Sequence, residues 1–266
     1  MVGLAYPNIS PVVLSVGGFD LRWYSLAYLI GIVFAWFFMA RDIKKYGFPI
    51  DKKSLDDMMF NVTLGIILGG RIFYVLFYNF EMFRLHPMEI FALWHGGMSF
   101  HGGLFGVIIA LLYSARKMHY PFLGLSDLAA LYTPFGLFLG RLANFVNDEL
   151  WGRVSEVPWA VRFPSGGYEP RHPSQLYEAF FEGLVLLIVL QILWRCPRIR
   201  EKHGFISGVF LIFYGICRIL IELFREPDAQ LGFVFANITM GQILSLPIVL
   251  AGAVVIWFSL RGHKTV

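Results

Sequence analysis

Seven stretches of about twenty mostly apolar residues recur along this chain, each long enough to cross a bilayer as a single helix. They are Trp23–Ala40, Met58–Tyr78, Gly96–Ala115, Leu123–Val146, Ser174–Trp194, Gly204–Phe224 and Met240–Leu260. In hydrocarbon every backbone N–H and C=O must be bonded within the protein, which restricts such stretches to helices or a closed barrel. Their length selects helices. Only 15% of the 266 residues are charged, against about 25% in ordinary soluble domains, and the mean hydropathy is +0.63. The expected fold is an all-α integral membrane protein with seven transmembrane helices, forming one polytopic domain over residues 1–266.

The basic residues give the orientation. Arg41, Lys44, Lys45, Lys52 and Lys53 follow the first stretch; Arg116 and Lys117, then Arg195, Arg198, Arg200 and Lys202, and finally Arg261 and Lys264 fall on the same side. That side is expected to be cytoplasmic, which puts the N-terminus outside and the C-terminus inside. The same rule accounts for the sequence pI near 9.1 without invoking nucleic acid, which is not an expected partner. The first twenty residues lack a basic n-region, so the first helix is expected to act as its own insertion signal. Two stretches lie outside the bilayer: a small outer arm, residues 1–20, and an outer loop, residues 147–173, rich in turn formers.

Ionisable groups inside a membrane are costly and point to function. Arg71, Arg141 and Arg218 are each followed, seven or eight residues later, by an outer anchor: Tyr78, Glu149 and Arg225. At 1.5 Å per residue this places each arginine roughly 10 Å below the outer interface. His101, seven residues after Trp94 on a helix running the other way, reaches a similar depth. A lone arginine near a helix end also snorkels or forms a structural salt bridge, so Arg71 has both readings. Glu222, four residues after Arg218, has the spacing of an intrahelical pair, and Glu178 and Glu182 are expected counter-charges for Arg141 or Arg71. An arginine fork matches phosphate bidentately and keeps its charge, so the layer suits an anionic phospholipid.

His101 lies in Gly96-Gly97-Met98-Ser99-Phe100-His101-Gly102-Gly103, where flanking glycines admit a close approach and an imidazole can accept a proton near neutral pH. A lone histidine of this kind is also a common packing residue. With only Cys196 and Cys217, no Cys-x-x-Cys and no His-Glu-x-x-His, neither a metal nor any other cofactor is expected. Pairs of glycines spaced by four (Gly65/Gly69, Gly102/Gly106, Gly136/Gly140, Gly204/Gly208) predict close helix packing. A transporter would also place Arg and Glu in the membrane, but near the midplane between repeated halves, and no repeat is visible here.

The run from Gly140 to Gly152, GRLANFVNDELWG, resembles the signature of the bacterial prolipoprotein diacylglyceryl transferases, Gly-Arg-x-small-Asn-Phe-x-Asn-x-Glu-x-x-Gly. The resemblance extends to Arg22-Trp23-Tyr24, Gly69-Gly70-Arg71, the His101 segment, Arg171 through Glu178 and Arg218 through Pro227. It implies transfer of the diacylglyceryl group of phosphatidylglycerol to the lipobox cysteine thiol of a prolipoprotein. A thioether forms and glycerol phosphate leaves, as the first step of lipoprotein maturation in the bacterial inner membrane. The implied partners are phosphatidylglycerol, the prolipoprotein signal peptide and membrane lipid. By the resemblance Arg141 and Arg218 are the expected phosphate clamp, and Tyr24 and Tyr214 hydrogen-bond the headgroup. Asn144 and Glu149 shape that end of the cavity, with Glu149 orienting an arginine. The motif does not assign the acceptor of the thiol proton; His101 is the candidate. Arg71, Gly152, Glu178 and Glu222 are expected in supporting roles.

Overall fold

The structure is a computed structural model that describes residues 3–92, 96–227, 233–235 and 238–261. Trp94, used above to gauge the depth of His101, and Lys264 lie outside the described residues. The chain divides into two compact units, Met1–Ala35 with Asp127–Val266, and Trp36–Ser126. The principal helices are α1 (Trp23–Tyr46), α2 (Lys52–Phe77), α4 (Phe100–Met118) and α5 (Phe122–Val146). A further continuous helix joins α6 (Ser174–Glu178) through a π turn (Ala179–Val185) to α7 (Leu186–Trp194). The last two are α9 (Phe205–Ile221) and α10 (Met240–Arg261), while α3 (Phe80–Leu85) and α8 (Pro197–Arg200) are short connectors.

The protein is a multi-pass helical membrane protein. Among the described residues five helices are long and apolar enough to cross a bilayer: α1, α2, α5, Ser174–Trp194 and α10. Helix α9, at 17 residues, is shorter but apolar. The expected span Gly96–Ala115 becomes helical only at Phe100. Gly96 and Gly97 have φ of +79° and +80°, and Ser99 caps α4 by accepting the Gly102 N–H at 3.3 Å.

In the Trp36–Ser126 unit, α2 and α4 pack through the predicted glycines. A Cβ on Gly65 would stand 2.5 Å from the Gly106 carbonyl oxygen, and Gly69 meets Gly102 in the same way. The other unit repeats the device between α9 and α10, where a Cβ on Gly208 would lie 2.8 Å from the Gly252 carbonyl oxygen. The N-terminus of α9 is capped from a distance. Asp127 on α5, buried, accepts the Gly204 N–H at 2.7 Å, the Ser207 N–H at 2.8 Å and the Ser207 hydroxyl at 2.7 Å.

The N-terminal arm and the 147–173 loop fold together. Strand β1 (Leu4–Ala5) pairs parallel with β4 (Val161–Arg162), which pairs antiparallel with β5 (Pro170–Arg171). Strands β2 (Val12–Val16) and β3 (Phe19–Arg22) form a separate hairpin, as do β6 (Phe233–Phe235) and β7 (Ile238–Thr239). The Tyr6 hydroxyl shares its one proton between the carbonyls of Phe145 (3.0 Å) and Val146 (2.8 Å), acceptors that the end of α5 leaves open.

Candidate active site

Three arginines and three glutamates meet on α5, the Ser174–Trp194 helix and the end of α9. Glu178 is fully buried and central. One of its carboxylate oxygens receives Arg218 and, at 3.6 Å, Arg225; the other faces Arg141 at 3.2 Å. Glu222 faces Arg218 at 3.1 Å, the predicted intrahelical pair. Glu182, equally buried, stands 3.6 Å from Arg141. A buried carboxylate is tolerable only when cations surround it, and this arrangement supplies them.

Local structure explains the meeting. Gly183 follows Glu182 within the π turn, and a Cβ there would lie 2.6 Å from Phe138 Cβ. The two backbones therefore touch one turn below Arg141, and its fork faces both Glu178 and Glu182. The π turn itself is a common device at functional sites, since i→i+5 bonding alters which side chains share a face. Arg218 stands in the last turn of α9, and Glu222 and Arg225 follow at i+4 and i+7 in the turn past Ile221, where the Glu222 N–H donates to the Arg218 carbonyl (3.0 Å) and the Arg225 N–H to that of Ile221 (3.1 Å). That spacing reveals Arg225 as a cluster member. Read only as an outer anchor, it is in fact buried, at 6% exposure.

The signature run leaves α5 directly above this cluster. The Glu149 carboxylate accepts the amides of Asn144 (2.8 Å) and Asn147 (3.1 Å). The backbone beyond is tied to the next helix, with Gln175 Nε2 donating to the Glu149 carbonyl (2.6 Å) and Ser174 Oγ to that of Leu150 (2.9 Å). Gly152 is required by space. A Cβ would stand 2.5 Å from the Phe224 carbonyl oxygen and 2.6 Å from that of His172. Arg153, which the sequence reading passed over, donates through Nε to the Arg225 carbonyl at 3.0 Å and through an amino nitrogen to that of Glu222 at 3.4 Å. It thus holds the end of α9 to the loop. Arg171 donates to Glu226 at 3.1 Å and stacks over Trp151, 4.2 Å from the ring centroid.

Tyr24, at the start of α1, lies within electrostatic reach of Glu149 and Arg141 and is 3.4 Å from the Tyr28 hydroxyl. Tyr214 lies within electrostatic range of Glu182, Arg141, Arg218 and Glu178. Above the helix, the His172 ring contacts the Tyr177 hydroxyl at 3.0 Å, and burial pushes its pKa below the ordinary imidazole value.

Arg71 and His101 belong to the Trp36–Ser126 unit. Arg71, 5% exposed, does not snorkel and has no carboxylate partner among the described residues. Its five N–H groups go to five backbone carbonyls: Ile90 (2.9 Å), Glu89 (2.6 Å), Ala92 (3.1 Å), Gly97 (3.0 Å) and Gly96. A guanidinium has five donors, so none is left for a ligand. Arg71 fastens the segment leading to α4, which is also held by the Ser99 N–H donating to the Gly70 carbonyl at 2.9 Å. His101 sits exposed in the first turn of α4, its ring against that of Phe100. No group of three or more His, Cys, Asp or Glu side chains among the described residues is arranged to hold a metal ion.

A family profile described as prolipoprotein diacylglyceryl transferase matches residues 11–258. The chain is 52% identical over 258 residues to the phosphatidylglycerol–prolipoprotein diacylglyceryl transferase of Rhodospirillum rubrum, covering 96% of this chain and 94% of that protein. It is 51% identical over 261 residues to the enzyme of that name from Vibrio vulnificus (98% and 95% covered). With that of Mannheimia succiniciproducens it shares 49% over 264 residues (99% and 97%).

Proposed function

The chain belongs to the prolipoprotein diacylglyceryl transferase family and transfers the diacylglyceryl group of phosphatidylglycerol to the lipobox cysteine of prolipoproteins; from that premise we propose that Arg141 and Arg218 form the phosphate clamp. The observation that carries this is their convergence on the single buried carboxylate of Glu178. Arg141 spends only part of its five donors on Glu178 and Glu182, and Arg218 only part on Glu178 and Glu222, so each keeps donors to offer an anion. In the reaction the cysteine sulfur attacks the glyceryl carbon that bears the phosphate. The carbon–oxygen bond breaks, its electron pair goes to the departing glycerol phosphate, and a thioether remains. Negative charge grows on the phosphate, where pre-oriented guanidiniums act most strongly.

Glu178, Glu222 and Arg225 orient the clamp, and Tyr24 and Tyr214 contribute hydroxyls to the headgroup. Asn144 and Glu149 shape the end of the cavity, and Gly152 lets the outer loop close over the end of α9. A free cysteine thiol has a pKa near about 8.5, so a base assists the attack. His101 is that base in this reading, supported by its exposed imidazole at the start of α4. Arg71 supports it by fixing the preceding segment. The finer topology fits the same picture: one domain of seven spans in the bacterial inner membrane, N-terminus outside and all lysines on the cytoplasmic side.

The test is incubation of the purified protein with phosphatidylglycerol labelled in its diacylglyceryl group and a lipobox peptide. Label is expected in the cysteine peptide and not in its serine twin. Arg141→Lys and Arg218→Lys keep the charge but lose the fork and are expected to lower kcat/KM by about 100-fold or more. His101→Gln is expected to lower kcat with KM for the lipid retained. Wild-type kinetics in both arginine variants would remove the clamp, and wild-type kinetics in His101→Gln would remove the base.

A further inference from the structure

Within the buried cluster Glu182 has the weakest hold on a cation. It is fully buried, and neither of its oxygens has a hydrogen-bond partner among the described residues. Its ion-pair contact is with Arg141, at 3.6 Å. Glu178 is shared by three arginines. Glu222 has Arg218 at 3.1 Å and lies against the first turn of α10, where a Cβ on Gly241 would stand 2.7 Å from its carboxylate. The groups facing Glu182 are Arg141 from α5 and Tyr214, Cys217 and Arg218 from α9. Glu178 lies one turn away on its own helix, and Arg225 beyond.

Three guanidiniums and three carboxylates leave the cluster without net charge before any ligand arrives. A phosphodiester adds one negative charge and draws the Arg141 fork toward itself. Glu182 then loses its nearest cation and remains a fully buried carboxylate, a costly state for such a group. A proton removes that cost.

We propose that binding of the phosphatidylglycerol phosphate is coupled to uptake of one proton by Glu182, so that the loaded site holds a lipid anion beside a neutral carboxylic acid. The inference rests on Arg141 and Arg218 being the phosphate clamp. The proton comes from solvent on binding and is given back when glycerol phosphate departs. Turnover therefore closes with Glu182 again a carboxylate and the thiol proton accounted for separately by the base. Linkage makes the effect reciprocal: if the lipid raises the proton affinity of Glu182, acid raises the affinity for the lipid.

The experiment titrates the full-length protein in detergent with short-chain phosphatidylglycerol, without peptide, so that no transfer occurs. Calorimetry in buffers of different ionisation heat counts protons across about pH 6 to 9. Between the titrations of Glu182 in the free and the loaded protein, wild type is expected to take up close to one proton per lipid, with affinity falling up to about tenfold per pH unit across that window. Glu182→Gln is expected to take up none and to bind independently of pH, as tightly as wild type does in acid. No uptake by wild type, or undiminished uptake by Glu182→Gln, overturns the proposal, and the wild-type count decides even if the variant fails to fold. Arg141→Lys and Arg218→Lys separate the two readings. If both bind the lipid like wild type, the clamp itself is wrong; if they lose affinity while wild type takes up no proton, only the role of Glu182 falls.

Discussion

Gly183 and Phe138 touch without room for a methyl group: a Cβ on Gly183 would stand 2.6 Å from Phe138 Cβ and 2.7 Å from Phe138 Cα. This contact fixes how closely the π turn approaches α5, and hence the 3.2 Å and 3.6 Å separations of Arg141 from Glu178 and Glu182. Gly183→Ala must push the helices apart. The expected cost is about 1–3 kcal/mol of stability, together with a fall of roughly 10- to 100-fold in transfer rate from misplacing the clamp. Thermal unfolding in detergent and steady-state kinetics measure the two. An unchanged rate would separate the Gly183 contact from the clamp.

Arg71→Lys replaces five planar donors with three. Some of the carbonyls of Glu89, Ile90, Ala92, Gly96 and Gly97 then lose their partner, and the backbone they belong to is expected to loosen by about 2 kcal/mol. Hydrogen exchange at residues 89–99 should accelerate, while affinity for phosphatidylglycerol stays at the wild-type value because Arg71 has no donor free for it. Loss of lipid affinity with unchanged exchange would return Arg71 to the clamp.

Asp127→Ala removes three hydrogen bonds at the start of α9 and strands two backbone N–H groups. A loss of about 2 kcal/mol is expected, and Asp127→Asn, which keeps an acceptor oxygen, should lose less. Chemical denaturation of the three proteins side by side gives the order.

His172 makes stability depend on pH. Burial holds its folded-state pKa below the unfolded value of about 6.5. The unfolded chain therefore takes up the proton first as the medium is acidified. The contribution of His172 is complete above about pH 6.5 and is lost as pH falls through that value toward the folded pKa. His172→Gln should flatten this part of the stability profile; an identical slope in the variant would assign it to another group.

The sequence made some of this legible and hid the rest for physical reasons. Glycine pairs spaced by four announce a close helix contact, and Gly65, Gly69, Gly102 and Gly106 do meet across α2 and α4. The dense run from Gly140 to Gly152 marks the site because side-chain chemistry is written in residue types. The destination of Arg71 is not: its partners are backbone carbonyls, which every residue carries, so no letter in the sequence distinguishes them. The π turn is equally silent, since it is a change in hydrogen-bond register within an otherwise ordinary apolar helix. That the two asparagines of the signature run, Asn144 and Asn147, both reach the Glu149 carboxylate is not readable from their spacing alone. Asp127 caps a helix 77 residues further along, a distance over which spacing carries no information.

The hydroxyl of Tyr6 bonds the carbonyls of Phe145 and Val146, about 140 residues later in the chain. During synthesis, at roughly 5–20 residues per second, the arm therefore waits on the order of ten seconds for its partners to be made. Through that interval β1 is a strand without a mate and the end of α5 does not yet exist. These early-made residues are thus among the last to find their place, and closing the arm over the signature run becomes a late event in the birth of the enzyme.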